Sequence, residues 1–100
     1  MIIIINGKKY NTETSVLICR YNKERRTESE WGGVFYYDET WEVYKTQKGK
    51  YFEVFTKKEV FNEKSCVYGE ELSTGGALTK YYKYEQHKSE CEAFPGLQEE

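Results

Sequence analysis

His87 and Cys91 stand four residues apart, so a helix running through both would put an imidazole and a thiol on one face, as two metal ligands or as a nucleophile beside its base. Zinc needs three or four ligands, and the nearest further candidates, Glu90 and Cys66, have no diagnostic spacing. An exposed histidine and an incidental cysteine are therefore the ordinary reading. Cys19 lies in an apolar run and reads as a small buried hydrophobe. Asp38, Glu39 and Glu42 offer carboxylates for acid–base work, but nothing isolates a pair of them in an apolar cleft that would tune a pKa. Gly32-Gly33 and Gly75-Gly76 lack the surrounding pattern of a phosphate-cradling loop, and turn geometry accounts for them. The residues thus point to no catalytic constellation, no metal and no cofactor, and the expectation is a protein that is not an enzyme.

A second kind of chemistry is recognition. Lys80-Tyr81-Tyr82-Lys83-Tyr84 interleaves rings with cations, a composition that can stack bases and neutralise phosphates on a single strand. With Lys8 and Lys9 it defines a nucleic-acid reading that uses Lys8, Lys9, Lys80, Tyr82 and Lys83. On a helix, however, Tyr81 turns to the core, and structural packing is the more economical account. Lys23, Arg25 and Arg26 form another basic group, diluted by Glu24 and Glu28.

The elements that would carry these residues are mostly strands. Ile2 to Ile5 followed by Asn6-Gly7 is a strong hairpin signal, because both central positions of a type I′ turn take positive φ, and Lys8-Lys9-Tyr10 forms the return. Ser15 to Tyr21 is a short apolar run that fits a strand or a helical turn, and strand is preferred. Residues 22–33 hold charges, Ser29, Gly32 and Gly33 around a single Trp31, which predicts a long exposed, mobile connection. Thr40 to Thr46 and Tyr51 to Thr56, joined through Gly49, predict a hairpin over 40–56 with Trp41 and Val43 on one side and Phe52 and Val54 on the other strand's core side. Cys66-Val67-Tyr68 suits one more short strand. A short helix is expected near 77–88, with a hydroxyl from Ser73 or Thr74 as its cap and Leu78, Tyr81, Tyr82 and Glu85 as its stripe. The fold class is α+β, a small antiparallel sheet with one helix. It forms a single domain over 1–93, with a frayed tail at 94–100.

Composition sets the outer limits. One hundred residues leave room for one core rather than two. Aromatic residues, 17% of the chain, must fill much of it and argue against disorder. The net charge of −2 is too near balance to announce nucleic acid or an anionic membrane. Charge nevertheless falls in blocks: residues 28–44 carry five acids and no base, whereas residues 45–64 carry six bases and three acids. Met1 to Ile5 is too short an apolar stretch for a signal core or a membrane span, and three cysteines without paired spacing suit a reducing cytoplasm.

Three blocks in order carry a resemblance: Asn6 to Ser15 (NGKKYNTETS), Trp41 to Phe52 (WEVYKTQKGKYF) and Gly75 to Tyr81 (GGALTKY). The chain resembles a group of small uncharacterised proteins of phages and mobile elements that share an NGK-x-Y-x-TETA start, an LY-x-T-x-x-G-x-YF hairpin and a GGA-x-x-KY segment. It departs from them in a longer stretch from Phe55 to Leu72 and in lacking a final helix rich in Glu and Trp. The resemblance implies a mobile-element accessory protein that binds a host protein, with anti-CRISPR inhibitors as one such class. The functional expectation is therefore a protein-binding module, an inhibitor acting by surface occlusion on a host protein or complex. Asp38, Glu39 and Glu42 would meet a basic groove, and Tyr36 and Tyr82 would serve as anchors. Direct nucleic-acid binding is the alternative, no membrane is involved, and an exposed strand edge leaves a homodimer open.

Overall fold

The structure, a computed structural model, describes residues 1–60 and 65–96. Seven strands and two short helices follow the chain as β1 (Ile2–Ile5), β2 (Lys8–Asn11), β3 (Val16–Glu28), β4 (Val34–Lys45), β5 (Tyr51–Glu59), β6 (Ser65–Leu72), α1 (Thr74–Lys83), β7 (Glu85–Gln86) and α2 (Glu90–Ala93). β1 and β2 pair as a separate hairpin, and the other five strands form one antiparallel sheet in the order β6-β5-β4-β3-β7. The antiparallel expectation holds, but the sheet is larger than two hairpins and a helix. None of the described helices is long and apolar enough to cross a membrane.

The first hairpin forms for the reason its sequence gives: Asn6 at φ 51° and Gly7 at φ 77° take the left-handed conformations a tight turn requires. The 40–56 hairpin is also present, with Trp41 opposite Phe55 and Tyr44 opposite Phe52. That register puts Trp41 and Val43 on one face of the sheet and Phe52 and Val54 on the other.

Both faces are therefore core, where one core had been expected. On one side Ile18, Cys19, Val43 and Tyr51 pack under Ala77 and Tyr81 of α1 and under Ala93 and Phe94. On the other, Phe52 and Val54 are covered by Ile5 and Tyr10 of the hairpin. Gly69 on β6 makes the hairpin's approach possible, since a Cβ there would lie 2.7 Å from side-chain carbons of Ile3 and Ile5.

Three expectations need correction. Residues 22–28 are not a connection but the outer half of β3, paired through to Glu28↔Val34, and only Ser29 to Gly33 make the turn. The stretch reads as loop because it is polar on both faces, yet its charges find cross-strand partners such as Arg25 to Glu39 at 2.9 Å. The helix spans Thr74–Lys83 rather than 77–88. Ser73 Oγ caps it by accepting from Gly76 N at 3.0 Å, and Tyr84 ends it in extended conformation so that β7 can pair with Cys19 and Arg20. Finally, Phe94 is buried rather than part of a tail. The Tyr51 hydroxyl donates to the Ala93 carbonyl at 2.7 Å, and the Tyr51 ring stacks on Phe94 at 5.1 Å. The rest of the expected tail from Leu97 on, like Phe61 to Lys64, lies outside the described residues.

The covering layers sit at one end of the sheet only. α1 and the β1–β2 hairpin sandwich the end near Val43 and Phe52, while the β3–β4 arm extends beyond both in a molecule 54 × 30 × 19 Å.

Candidate partner-binding face

Where the helix ends, one row of the sheet is aromatic on each of the four strands β3 to β6. Tyr84, the C-cap of α1, stacks on Tyr21 of β3 at 5.5 Å between ring centroids. Tyr21 meets Trp41 of β4 at 5.4 Å, Trp41 meets Phe55 of β5 at 5.0 Å, and Phe55 meets Tyr68 of β6 at 6.1 Å. Cross-strand register explains the row, since Tyr21↔Trp41, Trp41↔Phe55 and Phe55↔Tyr68 are directly opposed pairs. These separations stay close to the strand spacing of about 4.8 Å. The two outer pairs, Tyr84–Tyr21 and Phe55–Tyr68, are near-parallel at 17° and 20°, and the two inner pairs through Trp41 are tilted at 40° and 39°. Such pairs add about 0.5–1.5 kcal/mol each beyond area burial.

The next row outward is charged and internally matched. Arg25 Nε lies 2.9 Å from Glu39 Oε1, and Lys57 Nζ sits 4.3 Å above the Tyr37 ring. Beyond it the arm carries exposed Val34 and Phe35, and Trp31 at the turn is 95% exposed, the most exposed large apolar residue of those described. With Tyr21 and Tyr68 also exposed, the half of the sheet that α1 and the hairpin leave bare carries several exposed large apolar side chains, as the hairpin does at Ile2 and Ile4.

The residues expected to bind a partner do not converge. Glu39 is on the ladder face, buried and bonded to Arg25, whereas Asp38 and Glu42 are on the opposite face. There Asp38 accepts from Asn22 Nδ2 at 2.8 Å and Glu42 accepts from the Tyr44 hydroxyl at 3.2 Å. Consecutive strand residues alternate faces, so an acidic run in sequence is not an acidic patch in space. Tyr36 shares the Asp38 face, and Tyr82 lies on α1 with its hydroxyl donating to Glu90.

The nucleic-acid set is divided as well. Lys80 turns inward, its Nζ 2.6 Å from Glu53 Oε1, while Lys83 is exposed in the last helical turn. Lys8 and Lys9 instead line a half-open groove of about 630 Å³ with Lys48, Lys50 and Glu71, on another part of the molecule.

The candidate chemical groups are separated too. Because α1 stops at Lys83 and α2 starts after the Ser89 cap, His87 and Cys91 do not share a helix. Cys19 is fully buried, and burial together with the nearby Glu53 carboxylate pushes its thiol up to about 12, the reverse of nucleophile activation. Among the described residues no three His, Cys, Asp or Glu side chains gather as a metal would require.

The chain finds no match among protein families, curated proteins or solved structures. The reading of this face therefore rests on its own geometry. Sequence reasoning missed it because the ladder is defined by register: Tyr21, Trp41, Phe55 and Tyr68 are spaced irregularly along the chain and become neighbours only once four strands are aligned. The one available signal was an aromatic residue in each of the predicted strands around Tyr21, Trp41, Phe55 and Tyr68.

Proposed function

We propose that this chain is a non-enzymatic protein-binding module that docks through the bare half of its sheet, with the ring ladder as platform and Trp31 at the arm tip as anchor. The observation that carries the reading is the placement of a 95%-exposed tryptophan and a row of partly exposed rings on the half of the sheet that α1 and the hairpin leave bare. Tryptophan and tyrosine dominate interface hot spots, and large exposed apolar patches mark interaction sites. Three free cysteines fit work in a reducing compartment such as the cytoplasm.

The geometry favours a protein over a nucleic-acid strand. Base stacking needs open ring faces beside uncommitted cations. Here the rings are engaged with one another at 5.0–6.1 Å, Arg25 is committed to Glu39 and Lys80 to Glu53. Occlusion of a host-defence complex is the form of binding that the sequence resemblance supports.

Affinity capture from a host lysate with the full chain tests the reading, run in parallel with Trp31→Ala and Tyr21→Ala. A stoichiometric partner is expected for the unmodified chain, with at least about thirty-fold weaker binding for Trp31→Ala, the loss typical of a hot spot. Absence of any partner, or retention of full binding by both variants, overturns it. A gel shift at low salt would instead establish the nucleic-acid alternative.

A further inference from the structure

The five-stranded sheet has two open edges that differ in kind. β7 pairs with β3 only at Cys19 and Arg20, so among the described residues no strand pairs with the outer edge of β3 through residues 21–28. Lys23, Glu24, Arg25, Arg26 and Glu28 line it, five charges in six residues. Dense charge is how natural sheets keep an edge from pairing with another chain. The outer edge of β6 carries charge only toward its end, at Glu70 and Glu71. Ser65, Cys66, Val67, Tyr68 and Gly69 hold neither charge nor proline, the first four are exposed, and Val67 and Tyr68 are strong strand formers. Among the described residues, no strand pairs with β6 on that side.

We infer that two copies of this chain associate through β6, pairing as antiparallel strands about a two-fold axis at Tyr68. The sequence is self-complementary in that register. Tyr68 opposes Tyr68 of the partner subunit, Val67 opposes the partner's Gly69, Cys66 the partner's Glu70 and Ser65 the partner's Glu71, so that no like charges meet. Moving the axis to Glu70 would bring two carboxylates together. The register also continues the ring ladder. Tyr68 is its last ring, stacked on Phe55 on one side and 61% exposed. A second Tyr68 across the axis would cover it and join the two ladders over a ten-stranded sheet. Val67, on the opposite face and 42% exposed, gains cover from the same pairing. One strand pair is smaller than a standard stable interface, so the dimer should be reversible and concentration-dependent. The pairing would cover the last ring of the ladder, Tyr68, and leave Tyr21 and Trp31 exposed, so it is tested apart from the protein-binding reading by oligomeric state alone.

Sedimentation velocity on the full chain tests it. Raising the concentration about a hundredfold should move the population from monomer toward dimer by mass action. Tyr68→Lys, which sets two ammonium groups face to face on the axis, should stay monomeric throughout while keeping its far-UV circular dichroism spectrum. Directly opposed antiparallel residues have Cα atoms about 4.5–5.5 Å apart, within disulfide reach. Tyr68→Cys in a Cys66→Ser, Cys91→Ser background should therefore cross-link into a covalent dimer on mild oxidation. A monomer across the whole range overturns the inference, as does a Tyr68→Lys variant that dimerises like the unmodified chain. Failure of Tyr68→Cys to cross-link while the chain still dimerises overturns the register.

Discussion

Lys80 Nζ lies 2.6 Å from Glu53 Oε1 between α1 and the centre of the sheet, with Glu53 only 5% exposed. The Tyr84 hydroxyl donates to the other carboxylate oxygen at 3.3 Å, so the acid is held from two sides. Its position follows from Val43↔Glu53 pairing, which forces the residue between Phe52 and Val54 to point at the helix. Desolvating a carboxylate is costly, and breaking a buried pair from one side leaves the charge uncompensated. Lys80→Ala should therefore lower stability by about 3 kcal/mol in urea denaturation. Glu53→Leu with Lys80→Met should recover most of that loss, because paired replacement by apolar groups is often neutral. A double variant as unstable as the single one would show that the pair itself holds α1 in place.

Much of the fold was legible where local chemistry and global structure agree. Asn6-Gly7 dictated its turn and the 40–56 strands their alternation, whereas the helix begins three residues before the expected Ala77. What stayed hidden was set by which strand lies beside which. No local signal places Glu53 beneath α1 beside Val43, and Lys80, expected as a nucleic-acid contact, reaches down to that carboxylate. The Asp38, Glu39 and Glu42 block dissolved because strand geometry sends neighbours to opposite faces. The ring ladder needed four registers at once, and no single segment encodes a register.

Gly69 should tolerate no side chain while the hairpin is docked. A Cβ would stand 2.7 Å from Ile3 Cγ2 and from Ile5 Cγ1 and Cδ1, too close for atoms near the root of a branched side chain to yield cheaply. Gly69→Ala should cost about 1–3 kcal/mol by overpacking, although alanine is the better strand residue in isolation. Combining it with Ile5→Ala should cost less than the sum of the two single changes, since the second relieves the first. Thermal melts of the three variants check this, and strict additivity would mean that hairpin and sheet do not touch at Gly69.

Alkaline pH should unfold the chain earlier than its acidic groups would suggest. Burial, then Glu53, pushes the Cys19 thiol from 9.0 up to about 12. Burial, then Glu42, pushes the Tyr44 phenol from 10.0 up to about 12, and Tyr84 is raised by burial and Glu53. In each case the folded chain holds a proton that the unfolded chain releases first. Stability is therefore full below about pH 9 and declines as pH rises toward about 12. Urea midpoints should fall between neutral pH and about pH 10.5, and Cys19→Ala should flatten the earliest part of the decline. A thiol reagent at neutral pH should label Cys66 and Cys91 at once and Cys19 only on unfolding, as their exposure requires.

The arm distinguishes a strand from a loop most directly. Residues 21–28 pair with β4 on one side and with no described strand on the other. In an antiparallel strand consecutive N–H groups point alternately to the two sides. Amide hydrogen exchange should accordingly alternate along residues 21–28, with every second amide protected by β4 and the ones between exchanging quickly. Protection should weaken toward Glu28 without vanishing, because Ser29 N still donates to the Gly33 carbonyl at 2.7 Å. Uniformly fast exchange from Asn22 onward would restore the exposed connection that composition alone suggests, and would take with it the rigid arm on which Trp31 is presented. Under the dimer of β6 this pattern on β3 stays unchanged, whereas the amides of Cys66 to Gly69 that face outward gain protection as protein concentration rises.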